Sequence, residues 1–335
     1  MTQKNDHINQ LAQELNLTPA HVAGAVALID EGNTIPFIAR YRKEATGSMD
    51  DQVLRTLGER LEYLRGLDTR KEEVTRSITE QNAMTPELEK SLAEAKTLAE
   101  VEDLYRPYKP KRKTRASIAR ARGLQPLADD ILKQDPAFDP QTAAQQYLGE
   151  EVPDAAAALA GAQDILAETI SDDARCRAEL RRFYRAFGMV RSVKAKEEDS
   201  VYAQYYDYAE PMSKIPGHRV LALDRGEREG FLKVSIQVES ERAAAITAQL
   251  FVHRKGGASA QIVEAAALDA YKRLIHPSLE TELRGELSDK AAEGAIQVFG
   301  ENLRQLLMQP PIRGKVVMGL DPGYRMGCKV AVVDA

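Results

Sequence analysis

Residues 105 to 122, YRPYKPKRKTRASIARAR, hold eight lysines and arginines and no acid. Tyr105 and Tyr108 interleave with Arg106 and Lys109. Lys111, Arg112, Lys113 and Arg115 follow within five positions, and Arg120 and Arg122 close the run. Pro107 and Pro110 should keep the backbone extended. An extended segment carrying cations and planar rings suits a nucleic-acid strand, because cations neutralise phosphates while tyrosines stack on bases. The competing reading is a solvated loop, or one that pairs with acids of the chain such as Glu100, Glu102 and Asp103 just upstream.

A second basic stretch, 175 to 196, sets eight lysines and arginines against Glu179 alone. On a helix, Arg177, Arg181 and Arg185 share one face at four-residue spacing, which could track a phosphate backbone or pair with acids of neighbouring helices. Asp321 is the sharpest single residue. An apolar run, VVMGL, leads to it, Pro322 and Gly323 should turn the chain there, and Gly327 precedes a second apolar run. A carboxylate at the end of such a strand is where ribonuclease H-like folds hold a divalent cation beside a scissile phosphate. One carboxylate does not make that site, and only Asp334 is nearby, so an Asp that shapes a turn is the alternative.

Other chemistry is absent from the sequence. The histidines (His7, His21, His218, His253 and His276) are scattered, with no two at metal-ligand spacing. Gly256 and Gly257 lack the Walker pattern that cradles phosphates. Cys176 has no nearby histidine to activate it. No metal, cofactor or small-molecule substrate is expected.

The elements that must position these residues are mostly helical. The chain has 335 residues, enough for two or more units, with 43% hydrophobic and 29% charged residues, a globular balance. It carries 46 basic and 51 acidic side chains, a net charge of −5, so outside the two basic stretches the chain is strongly acidic. Local field matters more than net charge for binding a polyanion. Two cysteines make no disulfide framework and point to a reducing compartment, the cytoplasm. The start has no signal-peptide pattern and no apolar run approaches membrane-spanning length, so no membrane role is expected.

Apolar residues recur at three and four positions over most of the length. A helix from Asp6 should bury Ile8, Leu11 and Leu15, and Thr18 with Pro19 should open a second that Gly32 ends. The pair resembles half of a helix-turn-helix, but the second helix offers almost no base to a major groove. Pro36 should keep 33 to 44 extended before Ser48, with Asp51 as capping-box partner, starts a helix carrying Leu54, Leu57, Leu61 and Leu64. Further helices are expected at 70–81, 86–95, 98–104, 124–132, 140–148, 153–170 and 173–187. Strands are expected at 189–194 and 232–238, then helices from 241 to 307. A hairpin from 315 to 334 closes the sequence. Its strands are apolar on both faces, so it should fray or pack opportunistically while the helical body folds without it.

Four stretches, TIPFIARYRKEATGSMDD, VEDLYRPYKPKRKTRASIARARGLQPLA, HRVLALDRGEREGFLKVSI and GLDPGYRMGCKVAVVD, in this order and at these distances, resemble the bacterial Tex family of transcription accessory proteins. That family is similar to the eukaryotic elongation factor Spt6. The resemblance implies a helical N-terminal region, a ribonuclease H-like domain of the YqgF type beginning near Lys315, then helix-hairpin-helix modules and an S1 domain that carries much of the nucleic-acid binding. On that plan the chain is the N-terminal part only. Met326 stands where relatives more often have a small polar residue.

The fold expected is therefore mainly α: a helical N-terminal domain over 1–195, a central helical region with short strands over 196–312, and the first hairpin of a YqgF-type α/β domain over 313–335. The function expected is that of a nucleic-acid-binding transcription accessory factor, with RNA or DNA and the transcription machinery as partners and no catalysis. The rival readings are a metal-dependent nuclease of the ribonuclease H or resolvase type centred on Asp321, and a helical protein-interaction module docking to the transcription machinery.

Overall fold

A computed structural model describes residues 2–254, 256–310, 313–323 and 327–334. The chain begins with helices α1 (Thr2–Glu14), α2 (Pro19–Asp30), α3 (Ile35–Tyr41), α4 (Lys43–Thr46) and α5 (Asp51–Glu80). Pro36 does not hold its segment extended. It falls in the first turn of α3, where a missing N–H interrupts no hydrogen bond, and the helix buries Ile38. Asp50, not Ser48, caps α5: its carboxylate accepts the Val53 N–H at 2.9 Å, while Ser48 sits in the left-handed region at φ +64°. The stripe of Leu54, Leu57, Leu61 and Leu64 is buried, and it continues through Leu67, Val74 and Ile78. The helix expected at 70–81 is thus the second half of α5. Each such leucine contributes roughly 1.5–3 kcal/mol by leaving water.

Next come α6 (Pro86–Glu94), α7 (Leu98–Tyr105), a 3₁₀ turn Arg106–Tyr108, α8 (Arg115–Ala121), α9 (Gln125–Lys133), α10 (Pro140–Ala144), α11 (Ala155–Asp172) and α12 (Ala174–Phe187). Thr85 and Thr97 cap α6 and α7 by accepting the N–H of Leu88 and Glu100. The expectation of an extended 105–110 fails at its start, because Tyr105 completes α7 and the 3₁₀ turn follows. The rest of the chain is β1 (Met189–Lys194), β2 (Asp207–Pro211), α13 (Gly217–Arg228), β3 (Leu232–Gln237), α14 (Ser240–Phe251), α15 (Ala258–Asp269), a π-helical turn Ala270–Ile275, α16 (His276–Leu307), β4 (Val317–Gly323) and β5 (Gly327–Val333).

These elements group into two units. One holds the chain up to Arg182 together with Ser240–His276. At its centre α11 packs on α8, α9 and α15 through Ala158, Ala162, Ile165, Leu166, Ala167 and Ile170. The approach is close: a Cβ at Gly161 would lie 2.4 Å from Leu124 Cδ1. Gln134 ties α9 to the end of α14, donating to the Phe251 carbonyl at 2.7 Å and accepting the His253 N–H at 3.0 Å.

The other unit holds Phe183–Glu239 and the chain from Pro277 onward. Its antiparallel sheet has the order β2-β1-β3. The outer edge of β3 is closed by side chains: Glu227 accepts the Val234 N–H, Glu280 accepts the Ile236 N–H, and Arg284 donates to the Val234 carbonyl. Charged groups there block pairing with another strand.

β4 and β5 pair only with each other, from Val317 opposite Val333 to Gly323 opposite Gly327, and every described residue of both is exposed. The two strands are paired along their described length, and no described residue of either is buried. Asp321, Pro322 and Gly323 belong to β4 and form no turn; Met326 lies outside the described residues. Among the described residues, no helix is long and apolar enough to cross a membrane.

Candidate nucleic-acid interface

The basic segment leaves α7 with Tyr105 buried and its hydroxyl 3.0 Å from Ser77 Oγ, so this ring is not free to stack on a base. Tyr108, at the end of the 3₁₀ turn, is half-buried, and its carbonyl accepts from Gln81 Nε2 at 3.0 Å. At the far end Thr114 caps α8. Its Oγ1 accepts the Ser117 N–H at 3.0 Å, Ser117 Oγ accepts the Thr114 N–H at 2.8 Å, and the Thr114 hydroxyl donates to Glu168 Oε2 at 3.0 Å. The loop between is thus tied at both ends.

Its cations divide by what they meet. Glu168 and Asp172 are one turn apart on α11, with side chains only 10% and 9% exposed. Arg120 donates to Glu168 at 2.6 Å, Lys111 donates to Asp172 and stands 3.4 Å from Glu168, and Arg106 Nε is 3.4 Å from Asp172. Lys109 approaches Glu102 at 3.6 Å and Arg122 approaches Glu151 at 3.3 Å. Arg112 and Lys113 are exposed and have no acidic partner among the described residues. Arg115 is exposed too, and among the described residues it makes no close ion pair, its charge acting at longer range on Asp164.

The two buried acids respond differently. Burial works to raise the Glu168 pKa, but the Arg120 hydrogen bond, the Lys111 charge and the Thr114 hydroxyl outweigh it and hold the carboxyl below the ordinary range. At Asp172 burial wins over the Lys111 bond and charge, and the carboxyl is pushed up.

Above these acids lies a cleft of about 680 Å³. Pro107, Tyr108, Pro110 and Phe251 supply its apolar walls, and its charged lining is balanced, Lys109, Lys111 and Arg120 against Glu168, Asp172 and Asp173. Sequence reasoning missed Glu168, Asp172, Gln134 and Phe251. The acids had a signal: Asp164, Glu168 and Asp172 recur every four residues on an otherwise alanine-rich helix, the complement of a basic face.

The arginine stripe on α12 has another use. Arg177 and Arg181 are 1% and 6% exposed, donating to the two oxygens of buried Asp103 at 2.7 and 2.9 Å. They lie in the interior, out of reach of a phosphate backbone. Arg185 is exposed and grips Glu286 through both carboxylate oxygens at 2.9 and 2.8 Å. Cys176, on the same helix, is buried, and its thiol is pushed up to about 12, chiefly by burial. Asp321 lies on an exposed strand opposite Lys329.

Residues 5–79 match the family model of the Tex-like protein N-terminal domain, and residues 135–299 that of the Tex central region. The chain is 45% identical over 352 residues to Protein tex of Bordetella pertussis, covering 98% of this chain and 44% of that protein. It is 42% identical over 333 residues to the transcriptional accessory protein Tex of Neisseria gonorrhoeae, covering 97% and 44%. A human S1 RNA-binding domain-containing protein 1 is 30% identical over 348 residues, 98% of this chain and 35% of its own length. The chain spans less than half the length of these relatives.

Proposed function

The chain belongs to the Tex family, and from that premise we propose that it is the helical part of a transcription accessory factor that contacts nucleic acid through the rim made by Arg112, Lys113 and Arg115. The observation that carries the reading is the division of the loop. Five of its cations face acids, which order it, and these three project from the ordered frame into solvent. Cations that make no close ion pair keep most of their attraction for phosphate, whereas paired ones must first break a pair. The relatives' names, which speak of transcription and of RNA binding, support the same class of partner.

The test is anisotropy of labelled RNA and DNA across a salt series. Reversal of all three residues to Glu should weaken binding and lower the salt slope by about 0.7–0.9 for each phosphate that is no longer neutralised. Unchanged affinity and slope would refute the reading.

The reading assigns binding and no bond-making. Asp321→Asn should change neither nucleic-acid binding nor the integrity of RNA, DNA or branched DNA incubated with Mg²⁺; cleavage that this substitution abolishes would favour the nuclease reading. A docking role toward the transcription machinery is favoured by one feature, the exposed Ile296, Phe299, Leu306 and Leu307 of α16. Pull-down of RNA polymerase that disappears on replacing these by Ser would support it.

A further inference from the structure

We propose that the surface made by Phe37, Arg40, Tyr41, Arg42 and Lys43, where α3 meets α4, docks a short acidic peptide segment of another protein, one that carries a few carboxylates around an apolar side chain. This surface shares no residue with the loop between α7 and α8, so the nucleic-acid reading can fail without it.

The sequence sorts the side chains of α3 onto two sides. Ile38 is buried, and Ile35 and Ala39 pack beside it on the core that holds Leu54 and Leu57. Phe37, Arg40 and Tyr41, three and four positions apart, share the opposite side. Arg42 ends the helix at φ −130° and ψ 34°, and α4 leaves in a new direction. That second helix is held close against α2: a Cβ at Gly24 would lie 2.1 Å from the Ala45 carbonyl oxygen. Thr46, fully buried, donates its hydroxyl to the Arg42 carbonyl at 3.2 Å. The backbone under the surface is therefore set before any ligand arrives, which lowers the entropy lost on binding.

Rings and cations are stacked on this frame. The Phe37 and Tyr41 ring centroids are 5.3 Å apart, and the Arg42 guanidinium lies over the Phe37 ring at 5.3 Å. Tyr41 is nonetheless 60% exposed. Tyrosine and arginine dominate the energetic centres of protein interfaces, and a guanidinium stacked on a ring keeps its planar fork of donors free for a carboxylate.

Charge identifies the partner. On α5 of the same unit Arg55, Arg60, Arg65 and Arg70 meet Asp51, Glu14, Asp30 and Glu73. Arg40, Arg42 and Lys43 are exposed and have no acidic partner among the described residues. Their attraction is left for a negative group from outside. The patch is also short. α3 has seven residues, a rise of roughly 10 Å, and in sequence exposed Glu31 precedes it while exposed Glu44 and Asp50 follow Lys43. A long polyanion would meet those acids, whereas a peptide with a few carboxylates and one apolar anchor for the Tyr41 ring would not.

The experiment selects short random peptides by display on the full chain and measures fluorescein-labelled copies of the selected sequences by anisotropy. Selected peptides should be rich in Asp and Glu around an apolar residue, and their Asn and Gln counterparts should bind roughly tenfold or more weakly. Tyr41→Ala, and joint replacement of Arg40, Arg42 and Lys43 by Ala, should each lower affinity roughly tenfold or more, with urea melts unchanged. Tyr41→Phe, which keeps the ring, should retain binding. Oligonucleotide affinity should be unaffected by Tyr41→Ala. A selection that enriches no acidic sequence, or peptides that bind the triple variant as well as the wild-type chain, would overturn the proposal. Two further outcomes would also overturn it. Loss of oligonucleotide binding in both variants would assign the surface to nucleic acid, and self-association that the triple variant removes would assign it to a second copy of this chain.

Discussion

Around the loop from Arg106 to Arg122, acids of α11 together with Glu102 and Glu151 meet five of the cations, and Arg112, Lys113 and Arg115 remain exposed. Against α12 the carboxylate of Asp103, on α7, accepts from the guanidinium groups of Arg177 and Arg181, and all three are inside the fold. Two stretches with the same number of basic residues thus serve different ends. One has its charge partly neutralised to shape a surface; the other has two of its arginines, Arg177 and Arg181, enclosed to join α7 to α12, while Arg185 and the rest of its cations stay exposed. The difference teaches that a count of lysines and arginines measures available charge, while the position of a few carboxylates decides how much of it a ligand feels.

The comparison is broken most severely at Asp103. Asp103→Asn keeps the shape and removes the charge that two buried guanidinium groups face, which should cost about 3–5 kcal/mol, read from urea melts. In the same variant Cys176, protected in the native chain, should alkylate faster, while exposed Cys328 reacts at an unchanged rate. A loss under about 1 kcal/mol would mean the arginines have partners that make Asp103 dispensable.

A smaller stability effect is expected at Glu168. Glu168→Gln weakens the anchors of Lys111 and Arg120 and should cost about 1–3 kcal/mol. Because the folded-state pKa of Glu168 is lowered, its stabilisation is present above the ordinary glutamate range and disappears as pH falls through the folded value. Asp172, raised by burial, has the opposite sign: its ionised form costs stability near neutrality, and that cost is relieved as pH falls through its folded pKa. Acid titration of Glu168→Gln should therefore be flatter than wild type, and that of Asp172→Asn steeper.

Nearest to zero in stability should be Arg112→Ala and Lys113→Ala, within about 0.5 kcal/mol, as both are exposed and unpaired among the described residues. Their effect should appear only in nucleic-acid affinity. A reference for the acid limb is Glu14, held at about 2 by the Arg60 hydrogen bond that joins α1 to α5. Glu14→Gln should remove some acid sensitivity between pH 4.5 and about 2, without altering binding at any salt concentration.

Sequence alone determined the helical stripes and most helix starts. A leucine recurring every three or four positions acts within one or two turns of its own chain, so Leu54 to Leu64 were legible without a fold. Pro36 and Pro107 misled because proline is equally at home in a helix's first turn and in extended chain, and neighbours decide which. The site was legible by half: Arg112, Lys113, Arg115 and Tyr108 were named, while Tyr105, Arg177 and Arg181 proved to be interior. Only the tertiary structure could decide this, since Lys111 meets Asp172 across 61 positions and Arg177 meets Asp103 across 74. Phe251 joins the same cleft from a later helix still. Charge acts through a few ångströms of space and through the local dielectric, and neither quantity is written in the order of residues along the chain.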